Sequence, residues 1–509
     1  MQLKALLTGF ADIDCDLKVT GLCLDSRKLT RGQVFIALAA ADQSTIAFAE
    51  QALARGARAV MYDLKDTALS GWLAVAENSN NAARSCVFIA IAGLDTKLGA
   101  IAARYYGQPS SKLDVIGITG TNGKTSCTQF LGQLLDDCGI IGTLGWGVWG
   151  DLVFTGYTTP DALATQAMLA EFVKQGKRTV AMEVSSHGLA EGRVNSVHFK
   201  GVVLTNISRD HLDFHGSMAA YIATKKTLFE HANTEFKVFN LDEPLSEQFI
   251  ADVPKQVAIW GFGIVKADSR APLKNSALVS SDCILYAQNI NHQADGLAFE
   301  LVWQNQLQTV QVPLYGGFNV ENILAVVTVL LALGHSLATV AIKLQQLKPV
   351  AGRMQRFGHS QSPLIFVDYA HTPDALEKAL ISARQHCKRN LWVVFGCGGD
   401  RDVGKRPQMG ACAEQYADHV IITDDNPRSE NPEAITQDIL SGCNRKQTVI
   451  VVHDRAMAIQ MAMEQSSIED CIVIAGKGHE QYQEIKDQKI PFSDAQVVMK
   501  FLAESRVAS

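Results

Sequence analysis

Between the apolar pair Val115-Ile116 and a helical pattern that begins near residue 125 stands Gly117-Ile118-Thr119-Gly120-Thr121-Asn122-Gly123-Lys124-Thr125. No other segment constrains the fold as tightly. Strand, glycine-rich turn and helix, in that order, are the grammar of a phosphate-binding α/β domain, in which backbone N–H groups at a helix start wrap an anion. Lys124 supplies a mobile positive charge and Thr125 a hydroxyl for Mg²⁺. The spacing departs from a strict G-x-x-x-x-G-K-[ST], because Ile118 stands where the first glycine would be. A glycine turn with a chance Lys-Thr is the bland alternative, and the flanking strand and helix argue against it.

The chain has 509 residues, which at roughly 100–200 residues per domain predicts three domains. Residues 1–92 read as a small mixed α/β domain, with a strand at Val34-Phe35-Ile36-Ala37-Leu38, a helix over 47–54 and an apolar run at 87–91. Residues 93–350 read as a central P-loop-type α/β ATPase domain, with helices expected over 125–135 and 221–229. In residues 351–509, apolar runs at 364–367, 391–395, 419–422 and 471–474 each end in glycine or polar residues. That pattern predicts a Rossmann-like doubly wound domain with ligands at the carboxyl ends of its strands.

Hydrophobic residues make up 47% of the chain, so large cores are expected. A net charge of -6 with no basic run argues against nucleic acid as a partner. Eleven cysteines occur without a C-x-x-C pair, which argues against a disulfide framework and a zinc ribbon and for reduced thiols in the cytoplasm. Residues 1–16 carry Asp12, Asp14 and Asp16 and no long apolar core, so no signal peptide is expected. Membrane insertion is not expected either, since no apolar stretch approaches the ~18–20 residues that cross a bilayer.

Candidate chemistry gathers after the short apolar runs. Glu183 sits beside Ser185, Ser186 and His187, and His211 beside Asp210 and Asp213. Hard oxygen ligands suit Mg²⁺, whereas His211 and His215, four apart, would suit zinc. Lys225 and Lys226 read, on their own, as solvated lysines. Asp425-Asn426-Pro427-Arg428 follows an apolar run and is good turn chemistry as it stands.

The variant G-T-N-G-K-T resembles the Mur ligase and folylpolyglutamate synthase superfamily. Further along the chain, Thr158-Thr159-Pro160-Asp161-Ala162, Met182-Glu183-Val184-Ser185-Ser186-His187-Gly188-Leu189, Asn206-Ile207-Ser208-Arg209-Asp210-His211-Leu212-Asp213, Gly317-Phe318-Asn319-Val320, Gly352-Arg353-Met354 and Asp368-Tyr369-Ala370-His371 are similar to Mur ligase motifs in the same order. The resemblance covers nearly the whole chain. It implies an ATP-dependent ligase that phosphorylates a carboxylate and then forms an amide through an acyl phosphate. Its partners would be ATP, Mg²⁺, a UDP-N-acetylmuramoyl dipeptide and meso-2,6-diaminopimelate, and it would act as a monomer.

Residue by residue, the resemblance assigns ATP to Gly120, Thr121, Asn122, Gly123, Lys124, Thr125, Ser126, Asn319, Arg353, Asp368 and His371. Magnesium falls to Thr125, Glu183 and His211, with Lys225 as a carbamate (N6-carboxylysine). Catalysis falls to Lys124, Glu183, His211 and Lys225. The UDP-linked precursor would meet Ser26, Thr158, Thr159, Ser185 and Arg193. Arg401, Asp425, Asn426, Arg428, Gly476 and Glu480 would hold diaminopimelate, Arg428 through a carboxylate–guanidinium fork. One departure stands out: after Leu38 the family usually has a longer glycine- and histidine-containing loop, whereas this chain reads Ala39-Ala40-Ala41-Asp42-Gln43-Ser44-Thr45. The alternatives are a lysine-adding ligase, more remotely a folylpolyglutamate synthase, and a catalytically inactive binding or regulatory relative.

Overall fold

Alternation along the first strands shows why they are apolar throughout. In Val34–Ala37, Val34 and Ile36 enter one hydrophobic cluster while Phe35 and Ala37 enter another. A strand covered on both faces reads as a continuous apolar run. The computed structural model of this α/β protein describes residues 1–38, 45–76, 86–230, 234–265, 275–358, 361–486 and 488–508. The altered loop after Leu38 lies largely outside the described residues. Two compact units result: residues 1–116, 137–147 and 153–200 in the first, and 117–136, 148–152 and 201–509 in the second.

In the first unit, Leu22–Cys23, Val34–Ala37, Ala59–Asp63 and Val87–Ile91 form a parallel sheet in that order. Helices Leu3–Leu7 and Leu94–Tyr105 cover one face, through Leu3, Leu6, Leu98 and Ile101. Helices Thr45–Ala54 and Thr67–Ala76 cover the other, through Ala49, Ala52 and Leu69. The same unit holds Cys138–Gly142 and Thr179–Glu183, paired in parallel with Ile141 opposite Met182.

In the second unit, Gly201–Leu204, Phe236–Asn240, Ala258–Ile264 and Ile284–Gln293 run parallel as successive neighbours. Two antiparallel strands, Gly296–Trp303 and Gln306–Val312, extend them. The helix Phe318–Ala332 is buried nearly all round, consistent with its apolar composition. A six-stranded sheet follows, ordered Gln355–Phe357, Leu364–Asp368, Cys471–Ala475, Leu391–Phe395, His419–Ile422 and Ile450–Val451. All neighbours in it are parallel except the first pair. Phe366, Val393 and Val473 face one core and Ile365, Val394 and Ile472 the other, so both faces are covered. Four of its strands deliver Asp368 and the turns at 396–401, 423–428 and 476–480 to one edge, the carboxyl edge where doubly wound sheets bind ligands.

Two helices differ from expectation. The phosphate-loop helix spans Lys124–Leu134, starting at the lysine itself. The helix expected over 221–229 spans Met218–Lys226, followed by a 3₁₀ turn, Thr227–Glu230. Ser217 caps it by accepting from the Ala220 N–H at 3.2 Å, so the helix begins directly after its cap.

Candidate active site

The phosphate loop is strapped to the segment 205–208. Thr121 N–H donates to Asn206 O (2.8 Å), Asn122 N–H to Asn206 Oδ1 (2.9 Å) and Thr205 Oγ1 to Asn122 O (2.6 Å). Thr121 Oγ1 accepts from Ser208 N–H at 2.9 Å and lies 3.0 Å from the Tyr221 hydroxyl. Gly120 and Gly123 take φ of +146° and +89°, and a Cβ at either would overlap Thr205 Oγ1 or Asn322 Oδ1. Only glycine fits there. Lys124 Nζ donates to Gly120 O (2.8 Å) and Thr121 O (2.9 Å), so its charge is folded over the loop. Ser126 is buried behind the loop.

Lys225 and Lys226 part company. Lys226 pairs with Asp252. Lys225 is 1% exposed, donates to Gly120 O at 2.9 Å and lies over the Tyr221 ring. Burial, then the nearby Lys124 charge, hold its amine well below the ordinary lysine range. The next-door Asp210 is also buried. Burial works against its charge, but the hydrogen bond and charge of His371, with His211 and Lys405, outweigh that and keep its carboxyl far below the usual range. His211 adopts φ +55°, and its ring nitrogen lies 3.3 Å from Asp210 Oδ2. His215 packs its ring 5.3 Å from that of Tyr221. Among the described residues no three His, Cys, Asp or Glu side chains gather as a metal cage.

Groups from beyond residue 350 reach the loop. Arg353 donates to Thr125 Oγ1 at 3.1 Å and lies over the Tyr369 ring at 4.5 Å. Asn122 Nδ2 donates to Asp374 Oδ2 at 3.1 Å, and Arg209 makes a two-pronged pair with Asp402 at 3.1 and 3.2 Å. His371 Nε2 lies 3.6 Å from Asp210 Oδ2. Asp368 accepts from Met354 N–H (2.6 Å) and Ala370 N–H (2.8 Å), and so fastens the turn that carries Arg353. Asn319 donates to Tyr315 O at 2.7 Å and accepts from Asn322, while Gly317 occupies the cap position.

A second cluster lies at the strand ends of the six-stranded sheet. Arg428 takes φ +50°, a conformation costing a non-glycine residue about 1–3 kcal/mol. The hairpin Tyr482–Ile485/Gln488–Pro491 offsets that through Arg428 N–H to Glu484 O and Lys486 N–H to Arg428 O, both 3.0 Å. The guanidinium donates from Nε to Glu484 Oε2 (3.0 Å) and from NH1 to Gly399 O (2.7 Å). Asn426 Nδ2 donates to Glu480 Oε2 at 2.8 Å. A Cβ on Gly476, at φ +108°, would stand 2.5 Å from the Asp425 carboxylate. Arg401 is exposed and donates to its neighbour Asp400 O at 3.1 Å.

In the first unit, Glu183 accepts from Thr143 N–H (2.9 Å) and Thr143 Oγ1 (3.0 Å), and Thr143 meets Thr158 at 2.9 Å. Thr159 donates to Glu183 O at 2.9 Å and accepts from Ser185 N–H at 2.9 Å. Ser185 caps the helix Ser186–Ala190. Arg193 donates to Thr159 O (2.7 Å) and Glu191 (2.8 Å) on the wall of a cavity of about 210 Å³. Leu24, Leu38, Tyr157, Asp161 and Glu191 also line it. Ser26, 3% exposed, is not on its wall and donates instead to Gln51 at 2.6 Å. Leu24 and Leu38 carry no polar signature, and only the fold brings them to Arg193.

The sequence pattern of the Mur ligase middle domain matches residues 118–330, and that of the Mur ligase glutamate ligase domain matches residues 352–478. A UDP-N-acetylmuramoyl-L-alanyl-D-glutamate--2,6-diaminopimelate ligase of Xanthomonas oryzae pv. oryzae is 44% identical over 99% of this chain and 97% of its own. The chain belongs to the Mur ligase family. Enzymes of the same description from Coxiella burnetii and Pseudomonas aeruginosa are each 42% identical, over 96% and 97% of this chain and 97% of their own. A solved structure of a UDP-N-acetylmuramoyl-L-alanyl-D-glutamate--2,6-diaminopimelate ligase superposes with a TM-score of 0.67 at 34% identity, covering 99% of both chains. Mur ligases form amide bonds at the expense of ATP, and this chain carries that family's loop intact. No described helix is long and apolar enough to cross a membrane.

Proposed function

We propose that this protein joins meso-2,6-diaminopimelate to UDP-N-acetylmuramoyl-L-alanyl-D-glutamate, with ATP converted to ADP and phosphate. The carrying observation is the Asp425-Asn426-Pro427-Arg428 turn, held at a strand end with Asn426 bonded to Glu480 and the Arg428 guanidinium anchored on Gly399 O and Glu484. The far ends of diaminopimelate and lysine differ by one carboxylate, which a guanidinium can recognise. The full-length likeness to diaminopimelate ligases supports the same reading. Residues 1–92 would hold the precursor's nucleotide end, 93–350 ATP and 351–509 the amino acid, all in the cytoplasm where ATP is available.

The precursor carboxylate attacks the γ-phosphorus of ATP, and an acyl phosphate forms. Backbone N–H groups at the start of the helix Lys124–Leu134 cradle the phosphates, and Lys124 exchanges its loop carbonyls for the transferring oxygens. Arg353, beside Thr125, adds a second cation to the phosphates. Asp368 and Asn319 fix the Tyr315 and Arg353 turns that frame the nucleotide. The amine of diaminopimelate then displaces phosphate. The cavity beside Arg193 is smaller than the ~300–1,000 Å³ of whole-ligand pockets, so it suits one part of the long precursor.

Magnesium fits the residues present. The Thr125 hydroxyl and the Glu183 carboxylate are hard oxygen donors of the kind it prefers, and it keeps several waters of its own. Thr125, Glu183, His211 and Lys225 as a carbamate would hold it, and it would supply charge neutralisation at the transferring phosphate. Lys225 suits carbamylation because burial and the Lys124 charge favour the neutral amine that adds CO₂, and the resulting anion would be attracted to Lys124. The test is a ligation assay with the UDP-linked dipeptide and ATP, offering meso-diaminopimelate, L-lysine and D-glutamate side by side. Amide product and stoichiometric phosphate with diaminopimelate are expected. Preference for lysine, or no phosphate release with any substrate, would overturn the proposal.

A further inference from the structure

Lys477 has a side chain that is 0% exposed, yet it lies beneath the proposed amino-acid site. Its Nζ donates to Asn426 Oδ1 and Glu480 Oε2, both at 2.8 Å, and lies 3.6 Å from Asp425 Oδ1. Asn426 Oδ1 also accepts from Glu484 N–H at 2.9 Å. Two donors therefore fix which end of the Asn426 amide is oxygen. The Nδ2 group is turned to Glu480, gives it one hydrogen, and keeps a second to offer.

Charge makes the same point. Asp425 and Glu480 flank one ammonium, and the three together carry a single negative charge when all are ionised. Without Lys477, the two carboxylates would repel each other with no cation between them. With it, the cluster presents one net anion for an ammonium, while Arg428 stands in the same turn for a carboxylate. We propose that Lys477 is a positioning residue for amino-acid selection: it presets Asn426 as a donor and balances Asp425 and Glu480 so that they receive the zwitterionic end of the incoming diaminopimelate. This inference rests on the reading of residues 425–428 as the amino-acid site.

The full-length enzyme is assayed as wild type, Lys477→Met, Lys477→Arg and Arg428→Ala, with KM measured separately for diaminopimelate, ATP and the UDP-linked dipeptide. Lys477→Met keeps the apolar stem and removes the charge. Its KM for diaminopimelate is expected to rise about tenfold to a hundredfold, the scale of losing charge-assisted hydrogen bonds. The other two KM values stay within about twofold, because no bond of Lys477 reaches the phosphate loop. Lys477→Arg should recover part of the loss. Should Lys477→Met not fold, Lys477→Gln, which is neutral but can still donate a hydrogen bond, is read by the same criterion. A normal diaminopimelate KM in the folded variant, or an equal rise in all three, overturns the role of Lys477. If Arg428→Ala raises the diaminopimelate KM while Lys477→Met does not, this inference alone fails. If neither does, the reading of the site fails with it.

Discussion

Residues 117–125 carry the groups proposed to meet phosphate in one contiguous stretch, braced by residues 205–208, while the turn at 425–428 is completed by Gly399, Lys477, Glu480 and the hairpin at 482–491. The first offers backbone N–H groups at a helix start, two glycines that admit no Cβ and the Lys124 ammonium folded over them. The second relies on side chains that fix one another: Lys477 sets Asn426, and Glu484 and Gly399 hold Arg428. A backbone cradle recognises any phosphate of the right shape. A side-chain network can distinguish two amino acids that differ at one end. Variants in the first region should therefore affect every substrate combination, and variants in the second only the amino acid.

The largest expected effect lies in the loop. Lys124→Ala should lower turnover by roughly a thousandfold or more, since its charge acts on the transferring phosphoryl group. A thermal melt should show an intact fold, because Gly120 O and Thr121 O, which its Nζ meets, belong to its own loop and not to a distant element. Near-normal turnover by a folded variant would remove ATP from this loop and end the contrast.

Lys225→Ala comes next, with a loss of about a hundredfold or more. Small carboxylic acids should partly restore activity by refilling the anionic position, and the mass of the native protein should include an added carboxylate on Lys225. A fully active alanine variant would leave this buried lysine a structural group only.

These two residues show what could be read from sequence and what could not. The loop was legible because its chemistry is local: strand, glycine turn and helix follow within a few residues. The four strand ends of the last sheet were legible for the same reason, each apolar run stopping at glycine or polar residues. Lys225 was ambiguous, since only the fold shows that it turns inward while Lys226 meets Asp252. The cavity wall of Leu24 and Leu38 carried no signal, as apolar residues look alike whether they face a core or a ligand. Asp374 under Asn122, Asp402 with Arg209, and Lys477 under Asn426 were hidden for another reason. Each pairs with a residue more than fifty positions away, and no local pattern records such a partner.

In the second region, Arg428→Ala should raise the KM for diaminopimelate about a hundredfold, the cost of losing a two-pronged carboxylate contact, with the KM for ATP little changed. Arg428→Lys should restore only part, because an ammonium lacks the fork. Use of lysine need not rise, since removing a guanidinium builds no pocket for an ammonium. Wild-type efficiency in Arg428→Ala would make the D-N-P-R segment a turn and nothing more.

The smallest effect is expected at Glu484, and its sign sharpens the comparison most. Its carboxylate takes the Nε of Arg428 at 3.0 Å, so it both steadies the guanidinium and competes for its charge. Steadying has substitutes: Arg428 is also held by Gly399 O and by two backbone hydrogen bonds to the hairpin. Competition has none. The pair is only partly buried, with side chains 22% and 26% exposed, so its strength is that of a screened surface ion pair. Glu484→Gln keeps an oxygen to accept from Nε and removes the charge. The KM for diaminopimelate should therefore fall, by about twofold, and the gain should shrink as salt rises from ~0.05 M to ~0.5 M. Kinetics at those two ionic strengths, with ATP saturating, decide the point. A tenfold rise in KM instead would mean that the Glu484 charge itself positions Arg428, and that the second region tolerates no more change at its rim than the phosphate loop tolerates at its lysine.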